Sequence, residues 1–408
     1  MADFVEVDLV GLVGGLSGNN TGYIRRCSLF YLLWPCACNM LLFVALCLLH
    51  SSFCGILPVV ATEEKPLNPP KKAHPFLHAT RCSAKYEIAY EFLPFLRVYK
   101  DGHVERLLGA DSVPATTDPV TGVSSKDLTI IPETNVSARL YLPNITTTTK
   151  GKVIKKLPVL LYFHGGGFLV SSSSSPSYHN YLYKLVAEAQ IVVVSVDFRR
   201  PPEHPLPAAY EDSWAALLWV ASHRDCDGPE DWLNNYADFN RFFVAGETSG
   251  ANIAHNLAMM AGGCGSRLHV EILGLALVHP SFWGSDPVGS EGLDPEWKAK
   301  MDGFWQMVFP SALENNDPRV NPVAEGAPSL AGLGCRMVLV CLAEKDLLRD
   351  RAWLYYEALG RSGWTGVVEI HETEGEDHAF HLYKESEKAK DLIKLLATFY
   401  NKDMFPLL

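Results

Sequence analysis

The chain has 408 residues, 48% of them hydrophobic and 20% charged, with a formal net charge of −11. That composition excludes a disordered, collagen-like or coiled-coil repeat protein. The acidic balance argues against nucleic acid as a partner, because a phosphate backbone is met by clustered Lys and Arg. A small molecule is the better expectation.

In chain order, the first feature is a segment with no Asp, Glu, Lys or Arg between Arg26 and Glu63. Pro35 and Pro58 bracket an apolar run from about Cys36 to about Leu57. It is long enough for the roughly 20 residues that a membrane helix needs. It exceeds the apolar core of about 7–15 residues usual in a cleaved signal peptide. Residues 1–85 therefore read as an N-terminal extension. The hydrophobic run makes membrane contact as an anchor, or is absent from the mature protein, and a Pro- and Lys-rich linker follows from Glu63 to Lys85. Lys65, Lys71, Lys72, Arg81 and Lys85 come after the run, so a spanning segment leaves the C-terminal body in the cytoplasm. Cys27, Cys36, Cys38, Cys47, Cys54 and Cys82 crowd this end, while Cys226, Cys264, Cys335 and Cys341 are scattered. The body lacks metal-ligand spacing and reads as thiol-reduced, and no metal or cofactor is expected.

The globular part, residues 86–408, begins near Tyr86. Leu96–Leu107 predicts a hairpin turning at Asp101-Gly102, and Val136–Leu142 a further strand. From Leu157 short apolar runs alternate with helical stretches. The runs are Leu157–Phe163, Ile191–Asp197, Phe242–Ala245, Ile272–Val278, Met337–Leu342 and Val367–Ile370. Helices are predicted at Ala208–Ser222, Gly250–Ala261, Arg349–Ser362 and Glu385–Tyr400. Continuous apolar runs suit strands buried on both faces, and helices between them imply a mainly parallel sheet of the α/β class.

Four motifs follow predicted strands. His164-Gly-Gly-Gly-Phe168 offers backbone N–H groups of Gly165, Gly166 and Gly167 that can approach an oxygen gaining charge. Gly246-Glu-Thr-Ser-Gly250 fits a nucleophile elbow with Thr248 at the nucleophile position. Ser249 would need small neighbours at 247 and 251, and Glu247 is not small, so Ser249 is read as an oxyanion donor through its N–H. Asp346 follows the Met337–Leu342 run and suits either orientation of a histidine or a helix cap. His378 follows the Val367–Ile370 run. Nucleophile, acid and histidine in that order is the chain order of α/β-hydrolase triads.

These motifs, with Pro202-Glu-His-Pro-Leu-Pro-Ala-Ala-Tyr-Glu-Asp212, resemble the plant carboxylesterase branch of the hormone-sensitive-lipase family from about Tyr86 onward. Within it, Gly246–Asn256 and Phe282–Glu291 are similar to the subgroup of 2-hydroxyisoflavanone dehydratases, which carry Thr in place of Ser. The resemblance implies an α/β-hydrolase fold with a small helical cap, and Thr248, Asp346 and His378 as the catalytic set. It also implies loss of water from a small phenolic substrate, a 2-hydroxyisoflavanone, to give an isoflavone, with some carboxylesterase activity kept. A general carboxylesterase is the alternative. The hormone receptors of this fold lack the histidine that His378 supplies. Phe168, Trp283 and Trp305 are the aromatic residues expected to line the substrate pocket.

Overall fold

The computed structural model describes residues 87–145, 156–264, 268–312 and 315–402. The expected apolar span at Cys36–Leu57 and its linker lie outside the described residues. Among the described residues no helix is long and apolar enough to cross a membrane, and Cys226, Cys264, Cys335 and Cys341 are free thiols.

The chain opens with β1 (Ile88–Phe92), β2 (Leu96–Tyr99) and β3 (Val104–Arg106), a small antiparallel sheet. The predicted hairpin is β2–β3. Its turn is closed by the His103 N–H on Asp101 Oδ1 at 3.0 Å, with Gly102 at φ +87°.

The main sheet uses β4 (Ser124–Ile131), β5 (Val136–Leu142), β6 (Leu157–Phe163), β7 (Val192–Asp197), β8 (Ala237–Glu247), β9 (Ile272–Val278), β10 (Cys335–Ala343) and β11 (Val367–Thr373). Their order is β11-β10-β9-β8-β6-β7-β5-β4. The six strands from β11 to β7 run parallel, and β5 and β4 add an antiparallel edge. Two-sided burial explains the unbroken apolar runs. In β6, Val159, Leu161 and Phe163 enter one core while Leu160 and Tyr162 enter the other.

The first core is covered by α2 (Ala208–Ala221), α4 (Ser249–Cys264) and α6 (Arg349–Arg361), through residues such as Leu217, Ile253 and Tyr355. The second is covered by α1 (Pro176–Ala189) and α8 (Glu387–Tyr400), through Leu182, Val186, Leu392 and Leu396. Two short helices, α3 (Asp231–Tyr236) and α7 (Phe380–Tyr383), complete the layers.

A cap segment stands between β9 and β10: the 3-10 turn Gly289–Leu293 and α5 (Pro295–Val308). Helix α5 starts where the Asp294 side chain accepts the Trp297 N–H, with Pro295 in the first turn. The turn is tied to α6 by the buried Arg351–Glu291 pair, two N–H···O bonds at 2.7 Å. The result is an α/β-hydrolase fold.

Candidate active site

The predicted polar site residues follow the C-terminal ends of parallel strands: the glycine loop after β6, Thr248 and Ser249 after β8, Asp346 after β10 and His378 after the edge strand β11. Strand β8 lies mid-sheet, between β6 and β9, and its last residue leads directly into Thr248 and α4. Thr248 has φ +54°, a left-handed conformation that costs a β-branched residue of the order of 1–3 kcal/mol. The flanking glycines permit the turn: a methyl on Gly246 would lie 2.2 Å from the Gly250 carbonyl carbon, and one on Gly250 2.0 Å from the Phe163 oxygen. The elbow therefore presents Thr248, half-buried, above the sheet edge.

Thr248 Oγ1 lies 2.8 Å from His378 Nε2, and His378 Nδ1 lies 2.7 Å from Asp346 Oδ2. With Nδ1–H donating to the carboxylate, Nε2 is left to accept the threonine proton. Asp346 orients the histidine and is not the cap of the helix that follows, whose N-cap is Leu348; its other oxygen accepts the Leu348 N–H at 2.9 Å and holds the turn. Burial alone pushes the Asp346 carboxyl up, but the His378 imidazole and the N–H donors bring it below its ordinary value. Burial pulls His378 down, yet the charge and hydrogen bond of Asp346, with Glu247 behind, lift it above the ordinary imidazole value.

The Ser249 hydroxyl does not meet His378: it is buried and accepts the Phe168 N–H at 3.1 Å, which locks α4 to the glycine loop. The residue's own N–H opens α4 and has no partner within the helix. The glycine loop is narrower in its chemistry than its sequence implies. The Gly165 N–H donates to Tyr178 Oη at 2.8 Å, which withdraws it from the oxyanion set. Gly166 and Gly167, at φ +100° and +60°, keep N–H groups without a protein acceptor among the described residues. Gly166 cannot carry a side chain, because a methyl there would meet the Val170 oxygen at 2.2 Å. Tyr178, which positions the loop, was not singled out by any sequence motif.

The three aromatic residues expected to form the pocket wall are core residues instead. Phe168 and Trp283 are 0% exposed and Trp305 1%. Phe168 packs edge-on against Trp305 at 5.9 Å, and Trp283 donates to Asp302 and packs on Trp297. The residue facing the loop is Phe304, one position before Trp305 on α5. A methyl on Gly167 would lie 3.3 Å from its ring. Phe92 packs on Phe304 at 5.6 Å and stacks on Phe95 at 5.7 Å. A one-residue step on a helix turns a side chain by 100°, which composition alone does not reveal.

A hydroxyl, an imidazole and a carboxylate in hydrogen-bonded series, set beside backbone donors at the ends of parallel strands, define the site of an α/β-hydrolase. Residues 160–382 match the α/β hydrolase fold family. The chain is 45% identical to probable carboxylesterase 2 of Arabidopsis thaliana, over 78% of this chain and 98% of that protein. It is 47% identical to the 2-hydroxyisoflavanone dehydratase of Glycyrrhiza echinata, over 79% of this chain and 98% of that protein. Among solved structures it is similar to the hyperthermophilic esterase of Pyrobaculum calidifontis, with a TM-score of 0.56 and 28% identity, over 68% of this chain and 84% of that one. The chain thus belongs to the α/β-hydrolase family, in the group of plant carboxylesterases and 2-hydroxyisoflavanone dehydratases, and is a carboxylesterase-like enzyme.

Proposed function

We propose that the protein removes water from 2-hydroxyisoflavanones to give isoflavones and keeps a carboxylesterase side activity. The observation that carries this reading is Thr248 in the nucleophile position, with its hydroxyl 2.8 Å from His378 Nε2. Its β-branch stiffens χ1 and adds a methyl beside the reacting oxygen, on a residue held at φ +54°. An ester hydrolase must drive this oxygen onto a carbonyl carbon and then pass a tetrahedral centre. An elimination forms no bond to the enzyme and tolerates the crowding.

The substrate class has a ketone, an acidic C–H beside it and a hydroxyl on the next carbon. His378, oriented by Asp346, takes the C–H proton through Nε2, and the electron pair moves onto the ketone oxygen. The N–H groups of Gly166, Gly167 and Ser249 stabilise that oxygen as they would a tetrahedral oxyanion. Collapse of the enolate forms the carbon–carbon double bond and expels hydroxide, which leaves as water with the proton returned by His378. Thr248 orients the substrate or relays that proton. Phe92, half-buried and packed on Phe304 next to the loop, offers an aromatic surface that suits a flat phenolic ring.

The carboxylesterase reading draws on the same triad and on relatives so named at 45% identity. The test is product analysis of the purified protein with a 2-hydroxyisoflavanone and a p-nitrophenyl ester side by side. Isoflavone formation above the uncatalysed rate supports dehydration. Ester cleavage alone, across a panel of 2-hydroxyisoflavanones, replaces it with the esterase reading.

A further inference from the structure

Directly before the nucleophile stands Glu247, the last residue of β8, which is 1% exposed. Neither carboxylate oxygen accepts a well-formed hydrogen bond within the protein. A carboxylate so placed stays charged only beside a cation or a donor. Two histidines flank it. His279 Nδ1 is 3.8 Å from Oε1, and His381 Nε2 is 3.3 Å from Oε2. His279 cannot donate through Nδ1, because that atom already accepts the Ala379 N–H at 3.1 Å. The same bond spends the lone pair that a metal would need, although one ligand atom from each of the three residues lies within 4.8 Å of the others. His381 is left as the partner.

The cluster is built into the turn that carries the base. His378 precedes Ala379, whose N–H is held by His279, and His381 lies on α7 immediately after. The His279 ring is 5.6 Å from both the His378 and His381 rings. The other ionisable groups facing Glu247 are Tyr162 of β6, Tyr178 and Tyr181 of α1 and Cys341 of β10, all held neutral by burial, and the exposed Tyr383 of α7, whose phenol is also raised. On the base's own turn, Glu376 and Asp377 are taken by Lys384. Asp346 and Glu247 are thus the anions that act on His378.

We propose that Glu247, whose Oε2 lies 3.3 Å from His381 Nε2, is a positioning residue for the base. It sets a second fixed negative charge beneath the elbow, which favours the imidazolium of His378 and anchors its turn. Burial pushes the Glu247 carboxyl up, but the neighbouring His381 brings it below its ordinary value, and its charge adds to that of Asp346 in raising His378. The proposal rests on His378 acting as the base.

The experiment is an NMR titration of isotope-labelled histidines in the full chain, with the His378 signal assigned by its loss in His378→Ala. Glu247→Gln and Glu247→Met remove the charge by two routes, so the result does not hang on one variant folding, and thermal melts identify the folded ones. In either, the His378 titration should fall by about 0.5–1 unit, and the acid limb of kcat/KM should move to lower pH with it. Glu247→Asp keeps the charge and should bring the titration back toward the parent value. A folded neutral variant in which His378 titrates as in the parent would overturn the proposal, as would an Asp variant that shifts as far as Gln. The titration reads the charge effect without turnover, whereas full activity in His378→Ala would sink the base reading.

Discussion

Thr248→Ser isolates the feature on which the proposed chemistry turns. The substitution removes one methyl from a half-buried residue held at φ +54°. Losing a methyl's burial costs about 0.8 kcal/mol. Serine still bears the left-handed cost of any non-glycine residue, and relief of only the β-branch's share of it works the other way. The two offset, so stability should change by no more than about 1–2 kcal/mol. The hydroxyl keeps its reach to His378 Nε2, 2.8 Å away in the parent. Removing the methyl beside the reacting oxygen should lower the acyl-transfer barrier by about 1.4–2.8 kcal/mol, a 10–100-fold gain in p-nitrophenyl ester hydrolysis. Dehydration, which needs only a positioned hydroxyl, should stay within about threefold, less than 1 kcal/mol in barrier. Thr248→Ala should impair both reactions and leave the glycine loop intact. Both rates would be measured on the three proteins, with thermal melts to confirm folding. If Thr248→Ser gains no esterase activity, crowding at the elbow is not what disfavours ester hydrolysis.

His378→Ala should reduce dehydration by about 10²–10⁴-fold, the usual worth of a general base, and Asp346→Asn should reduce it less. Near-normal turnover in a folded His378→Ala protein would exclude the mechanism. Because His378 is raised and must be deprotonated to act, kcat/KM should climb with pH through a midpoint above the ordinary imidazole value of about 6.5. In Asp346→Asn that limb should move to lower pH, and a parent limb below 6.5 would contradict the assigned electrostatics. A variant beginning at Lys85 should be folded and active, since all four motifs lie beyond it. An inactive truncation beside an active full chain would place residues 1–84 within the working fold.

The strands that were legible are those buried on both faces. Leu157–Phe163 and Ile272–Val278 are strands over the very spans of their apolar runs, because no face had to be polar. Strand β4, Ser-Ser-Lys-Asp-Leu-Thr-Ile-Ile, was not legible. It is an edge strand with much of its surface toward solvent, and its polar residues mask the alternation. Helix α1 was hidden for another reason. Its start follows five serines, and its apolar face is made largely of tyrosines, Tyr178, Tyr181 and Tyr183 among them. The triad was legible because each member follows a strand and the order is fixed by the topology. What the sequence could not carry was direction: which loop N–H is already spent, on Tyr178, and which of two neighbouring aromatics, Phe304 or Trp305, faces the loop. Glu247 was read only as too large to flank a nucleophile at Ser249. Its partners, His279 and His381, come from separate strand ends that meet only in the fold.

The most direct test of the account is a single-turnover reaction of the parent protein with a 2-hydroxyisoflavanone, run with hydrogen and with deuterium on the carbon beside the ketone. The account predicts that isoflavone forms and that deuterium slows it several-fold, because removal of that proton by His378 is the step the site is built to promote. Absence of isoflavone above the enzyme-free control, in a preparation that cleaves a p-nitrophenyl ester, would contradict it.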